Sequence, residues 1–205
     1  MHIVMLGSES VTKEWTIDTS LHKLTRVNEL EDFTQIKADA YIDMLFELRT
    51  SRIEMLKTLP APVLINDVSF SLKEIGAPFT RFNGWATFLD KPIIEASCMA
   101  DLKESATSIF KVLNKKVEWV PDTAGFITPR IISMIINEAY YALGDGVSSK
   151  ADIDIAMKLG TGYPYGPFEW SQLIGLKNIN ELLLQLMKLD KKYSPAPALA
   201  KELNA

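Results

Sequence analysis

Seven short runs of strand-forming residues punctuate the first 120 positions of the chain, and none follows. They are HIVML (2–6), LTRV (24–27), AYIDML (40–45), PVLIND (62–67), TRFNGW (80–85), PIIEAS (92–97) and VEWV (117–120). Residues 3–6 are apolar at every position, which reads as a buried strand ended by Gly7. Between the runs, SRIEMLKTL (51–59) and ADLKESATSIFKVLNK (100–115) repeat near 3.6 residues; in the second, Leu102, Ala106, Ile109, Phe110 and Leu113 share one face. Strands alternating with helices predict an α/β layer with a mostly parallel sheet.

After Pro121 the period is helical throughout. DTAGFITPRIISMIINEAYYALGDG carries Ile131, Ile135, Ala139 and Leu143 on one stripe, with a stop expected at Gly144. SKADIDIAMKLG opens with Ser149 and Asp152 at capping-box spacing, and its end is expected at Gly160. TGYPYGP reads as a turn, PFEWSQLIGL and NINELLLQLMKLDKKY as two further helices, and SPAPALAKELNA as a loosely held tail. The fold class is therefore α/β plus all-α: a parallel-sheet domain over 1–120 and a helical domain over 121–205.

Composition narrows the partners. With 205 residues, 47% apolar and 23% charged, the chain has ample material for a core. Its net charge is −4 and it has no basic block, so neither nucleic acid nor an anionic membrane is an expected partner. The apolar stretches are too short to span a bilayer, and the first residues lack the charged and apolar regions of a secretory signal. Cys98 is the one cysteine, so no disulfide framework or thiolate metal cluster is expected, and a buried structural thiol is the simplest role for it. These features read as cytoplasmic. His2 and His22 are the only histidines, and both lie well before TRFNGW.

A family resemblance enters with AGFITPRIISMIINEAYYALGDGVSSKADIDIAMKLGTGYPYGPFEWSQLIGL. This stretch resembles the C-terminal domain of 3-hydroxyacyl-CoA dehydrogenases. The matching residues are Gly125-Phe126-Ile127, Asn137-Glu138-Ala139, Asp152 to Gly160, then Gly162, Pro164, Gly166-Pro167 and Glu169. Upstream, ADAYIDMLFE (38–47), NDVSFSLKEIG (66–76) and RFNGWATFLDKPIIEA (81–96) resemble the family's fourth strand, its Asn-Thr-Ser-Ser segment and its Arg-Phe-x-Gly-x-His segment. The resemblance implies a shortened Rossmann-like domain followed by the helical domain that makes the family's dimer.

It also implies a reaction, the NAD-dependent oxidation of a 3-hydroxyacyl-CoA. That chemistry needs a base, an oxyanion donor and a pyrophosphate cradle. Aligned on Gly7, the other two fingerprint glycines fall on Glu9 and Thr12. A carboxylate near the pyrophosphate would repel it by about 1–4 kcal/mol. The ribose-binding acid after the second strand has no clear counterpart, although Asn28, Glu29 and Glu31 lie close. The His position is Ala86, the catalytic Ser position is Val68 with Ser69 next to it, and the Asn after Gly-Phe-Ile-x is Pro129. The His-orienting glutamate is matched by Glu95.

The expectation is a family member without the standard NAD site or catalytic His, acting as a non-catalytic acyl-CoA-binding or partner-modulating module. No cofactor is expected, or NAD(H) if the family activity is retained. The alternatives are an active dehydrogenase with a rearranged site, and another enzyme using Glu95 as a base on an acyl-CoA. Tyr163, Tyr165 and Phe168 are candidates for a substrate pocket, with core packing as their other reading. A homodimer through the helical domain is expected from the resemblance and from the apolar stripe of ELLLQLMKL.

Overall fold

The computed structural model describes residues 1–8 and 15–204, and the chain divides into two compact units, Met1–Phe126 and Ile127–Ala205. In the first unit the strands are β1 (His2–Leu6), β2 (Lys23–Val27), β3 (Ala40–Asp43), β4 (Val63–Asn66), β5 (Thr80–Phe82), β6 (Ile93–Ser97) and β7 (Lys116–Trp119). They form one sheet in the order β2-β1-β3-β4-β5-β6-β7, parallel except where β6 runs against β5. Helices α1 (Leu30–Gln35), α2 (Thr50–Lys57), α3 (Leu72–Ile75) and α4 (Lys103–Val112) connect them. This is the mostly parallel α/β layer that the alternation of periods predicts.

Both faces of the sheet are covered, which is why β1 reads as an unbroken apolar run. Successive side chains point to opposite faces. Ile3 and Met5 pack with Ile42, Leu64, Phe82 and the α4 residues Ile109 and Phe110. Val4 and Leu6 pack on the other side with Tyr41, Ile65, Phe33 of α1, and Ile53 and Leu56 of α2. β5 stops at Phe82, short of the run to Trp85 that its sequence suggests. There the Asn83 carboxamide accepts the Trp85 backbone N–H at 3.2 Å and turns the chain.

The second unit holds α5 (Thr128–Gly144), α6 (Lys150–Thr161), α7 (Pro167–Ile174), α8 (Leu176–Met187) and α9 (Pro197–Leu203). Asp154 of α6, 8% exposed, orders its middle. Its carboxylate accepts the backbone N–H groups of Phe168 (2.8 Å) and Glu169 (3.2 Å), so α6 caps α7 from outside that helix. A Cβ on Gly166 would stand 2.3 Å from Asp154 Oδ1, so only glycine admits this approach. Glu169 closes the same turn by accepting the Gly166 N–H at 2.9 Å and pairing with Lys158. The Lys158 ammonium, followed by that N–H, holds the Glu169 carboxyl below the usual range.

Three expectations need correction here. α6 runs past Gly160 and ends at Thr161, because Gly162, at φ +72°, supplies the left-handed residue and donates to Lys158 O at 3.0 Å. The tail is docked rather than loose: Asn137, 1% exposed, donates to Ser194 O (2.9 Å) and accepts the Ala196 N–H (2.8 Å). Ala196 and Leu199 are consequently fully buried. The ELLLQLMKL stripe is no free seam, since Leu182, Leu183 and Leu186 are fully buried inside their own unit.

Two measurements probe this unit. Asn137→Leu leaves the Ala196 N–H unpaired and the Ser194 carbonyl with only the Tyr141 hydroxyl, 3.2 Å away, and should cost about 1–3 kcal/mol; hydrogen exchange should then lose protection over 196–203 first. Burial pushes the Tyr140 phenol up from its ordinary value of 10.0 to about 12. The folded state thus holds that proton longer than the unfolded chain, and the contribution present below pH 10 is lost as pH rises toward 12. Tyr140→Phe should flatten the alkaline limb of the stability profile, read by urea unfolding between pH 9 and 12.

Candidate functional site

In an open α/β sheet, ligands bind beyond the carboxyl ends of the strands, at the point where strand order reverses. Here β1 is flanked by β2 on one side and β3 on the other, so that point lies beyond Leu6 and Asp43. Gly7 leaves β1 there, with its N–H donated to Val27 O at 2.9 Å. Glu9 and Thr12, the fingerprint positions, lie outside the described residues. On the β2 side, Asn28 and Glu29 are exposed. The common dinucleotide-binding order carries a further strand outside β2, whereas β2 is the outermost described strand here.

The rest of this edge is held by side chains tied to backbone. Asp43 is fully buried; its carboxylate takes Arg52 at 2.9 and 2.7 Å and the Leu45 N–H at 3.0 Å. Burial pushes the Asp43 carboxyl up, and Arg52 opposes that shift. Asn66 ties three strand ends together, donating to Met44 O (3.2 Å) and Gly84 O (3.4 Å) and accepting the Gly84 N–H (2.9 Å). Asp67 accepts the N–H groups of Ser69 (2.7 Å) and Phe70 (2.9 Å). Asn66 and Asp67 open the matched NDVSFSLKEIG segment but were not site candidates; a polar pair closing an apolar strand is the signal that would have singled them out.

The sequence candidates are placed as follows. Glu95 lies on β6, partly buried, with its backbone carbonyl accepting the Asn83 N–H at 2.9 Å. It therefore stands beside Asn83, the residue that follows β5 and lies three before Ala86, whose side chain is exposed. Ser69 is buried in the Asp67 turn. The two histidines are elsewhere. His2 opens β1 and His22 precedes β2; the His2 N–H donates to Asp39, ahead of β3. Both stand at the amino edge of the parallel strands, across the sheet from Gly7, Asn66 and Glu95.

The pocket candidates of the helical unit are not brought to one cavity. Phe168 is 2% exposed and packs edge-to-face on Tyr140 at 4.9 Å between centroids, so it is core. Tyr163 and Tyr165 flank Trp170 at 5.5 and 6.1 Å. That unit instead carries an open apolar groove of about 640 Å³ between α5 and α6, lined among others by Ile131, Met134, Ile135, Ile153 and Met157.

A family model for the 3-hydroxyacyl-CoA dehydrogenase C-terminal domain matches residues 125–205. The chain is also 30% identical over 220 residues to a 3-hydroxybutyryl-CoA dehydrogenase of Clostridioides difficile, covering 95% of this chain and 76% of that protein. The chain belongs to the 3-hydroxyacyl-CoA dehydrogenase family. Against the Escherichia coli 3-hydroxyadipyl-CoA dehydrogenase it is 44% identical over 87 residues, spanning 18% of that longer relative. Among solved structures, the (S)-3-hydroxybutyryl-CoA dehydrogenase PaaH1 from Ralstonia eutropha superposes with a TM-score of 0.72 at 22% identity, over 88% of this chain and 70% of that one. That likeness confirms the Rossmann-like sheet followed by helices. Among the described residues of this family member, no cluster of His, Cys, Asp and Glu is arranged to hold a metal, and no helix is long and apolar enough to cross a membrane.

The Asn66 clamp yields a direct check. A Cβ on Gly84 would stand 2.4 Å from Asn66 Cγ, so Gly84→Ala should destabilise the chain by about 1–3 kcal/mol. In a double-mutant cycle with Asn66→Ala, measured by urea unfolding, that penalty should shrink.

Proposed function

We propose that this chain keeps the family scaffold and binds a CoA thioester, but transfers no hydride with its own residues. The observation that carries the reading is the placement of both histidines at the amino edge of the sheet. Oxidising a secondary alcohol by hydride loss needs a group that takes the hydroxyl proton within about 3 Å. Histidine is the side chain whose ordinary pKa suits that task near neutrality.

The position matching the family base is Ala86, with a methyl group that neither accepts nor donates a proton. Val68, 3% exposed, stands at the matching Ser position and Pro129, buried at the start of α5, at the matching Asn position. Of this set only the carboxylate Glu95 is retained. The edge strand β2 and the carboxylate at Glu9 argue against a dinucleotide in the same way. The ligand class follows from the family and from the names of its relatives, which act on 3-hydroxybutyryl-CoA and 3-hydroxyadipyl-CoA. The chain assembles, on this reading, as a homodimer through its helical unit.

A second reading is favoured by one observation. Glu95 sits beside the end of β5, where the Ala86 loop begins, so a rearranged active site would be built around it. Titration calorimetry with acetoacetyl-CoA and, separately, with NADH or NAD distinguishes the two. Heat from the thioester with none from either cofactor up to millimolar concentration is the expected result. Cofactor binding at micromolar concentration, with acetoacetyl-CoA reduction lost in Glu95→Gln, would establish the second reading instead.

A further inference from the structure

Thr87 combines two features that a folded chain ordinarily avoids. Its φ is +75°, in the left-handed region, where a β-branched side chain crowds its own backbone. Its hydroxyl oxygen is buried and has no hydrogen-bond partner among the described residues, although the residue as a whole is only half-buried. Each feature is destabilising, and such residues concentrate at ligand sites. The turn around Thr87 is held by other side chains. Asn66 accepts the Gly84 N–H at 2.9 Å and Asn83 accepts the Trp85 N–H at 3.2 Å, which fixes one end. Lys115 fixes the other, donating to Leu89 O and, at 2.9 Å, to Lys91 O. The neighbours thus impose the strained conformation, and the Thr87 hydroxyl contributes nothing to it.

A hydroxyl with no inner partner loses no hydrogen bond by turning outward. Rotation about Cα–Cβ to another staggered position is all that this takes. An acceptor arriving at the turn therefore gains a new bond without an old one being broken. The turn lies beyond the end of β5, at the carboxyl edge of the sheet. Thr87 directly follows the exposed Ala86, about 3.8 Å away between Cα atoms. The chemistry of the turn selects the acceptor. Its two lysines are already engaged, Lys115 with the carbonyls above and Lys91 with Asp90 at 3.3 Å. A phosphate would want such charges, whereas a single neutral donor suits a carbonyl oxygen.

We infer that the Thr87 hydroxyl is the donor that holds a carbonyl oxygen of the acyl group when a CoA thioester binds. This rests on the thioester-binding reading above and deepens it by naming the contact. As a neutral donor, Thr87 orients the acyl group without acting as a base.

The test is titration calorimetry of the full chain with acetoacetyl-CoA and, separately, with CoA, which lacks the acyl group. Urea unfolding checks that each variant folds. Thr87→Val keeps the shape and removes the hydroxyl. It should weaken acetoacetyl-CoA binding by about fivefold or more and leave CoA binding within about twofold. Its urea midpoint should not fall, because no hydrogen bond of the free chain is removed. Thr87→Ser restores the hydroxyl and should bring acetoacetyl-CoA binding back to within about twofold of the unchanged protein. Thr87→Ala should show the same split between the two ligands, and it decides the matter should the valine variant fail to fold. A variant without the hydroxyl that binds both ligands as the unchanged protein does, or loses both equally, would overturn the Thr87 contact while leaving the thioester reading intact. An unchanged protein that binds neither ligand would overturn both.

Discussion

The buried guanidinium of Arg81 is the contact on which the order of the first unit depends. It is fully buried on β5, a short strand near the centre of the sheet. A charge there is tolerable only if every donor finds an acceptor. Arg81 donates to Asp122 Oδ1 at 2.7 Å, to Thr123 O at 3.2 Å, to Val68 O at 3.3 Å and to Asp67 O at 3.4 Å. Its guanidinium carbon lies 4.2 Å from the Phe126 ring centroid. Burial pulls its pKa down and Asp122 pushes it back up; an arginine so paired keeps its charge. Asp122 also accepts the Leu72 N–H at 2.9 Å, so one carboxylate fixes both the buried charge and the start of α3. Gly125 at φ +82° and Phe126 at φ +45° follow, the first donating to Val68 O at 2.7 Å. A phenylalanine held in that region costs about 1–2 kcal/mol, and the Arg81 stack against its ring offsets that strain.

The same logic governs the carboxyl edge of the sheet. In a sheet that serves as a ligand site, the polar groups beyond the strand ends keep donors and acceptors for the ligand. Here Asp43 engages Arg52 and Leu45, Asp67 engages two successive backbone N–H groups, and Asn66 bridges Met44 and Gly84. These bonds hold the strand ends rigidly in place.

Much of this architecture was legible in the sequence because it is dictated by period. β1 and β4 lie on their apolar runs, since burial on both faces forces apolar residues along Ile3–Leu6 and Val63–Ile65. What the sequence hid depends on contacts distant along the chain. β5 ends early because Asn83 turns back on its own backbone and Asn66 holds the next residue, Gly84, by its N–H. The last helix looks weak by composition, yet it is fixed by Asn137, nearly sixty residues upstream. The α8 leucines read equally well as an inner or an outer stripe; only the positions of α5 and α9 decide that they face inward. Among the candidate site residues, Glu95 was matched only by resemblance, and its place beside Asn83, like the amino-edge position of the histidines, required the strand order itself.

The strongest family motifs of this chain turn out to have structural employment in the second unit. Asn137 pins the last helix, Asp154 and Gly166 make the cap of α7, Glu169 closes its first turn, and Gly162 ends α6. Each is explained by hydrogen bonding or backbone geometry inside the unit, with no ligand required. A match over these residues is therefore evidence about how the helices are held, and it would persist in a chain that had lost its reaction. The positions that bear on hydride transfer stand in another part of the sequence, at Ala86, Val68, Glu95 and Pro129 and at the turn after β1, where the chain departs from the pattern in all but Glu95. On the reading proposed above, likeness and chemistry are carried by different residues, and the departures at the second set weigh more than the agreement at the first.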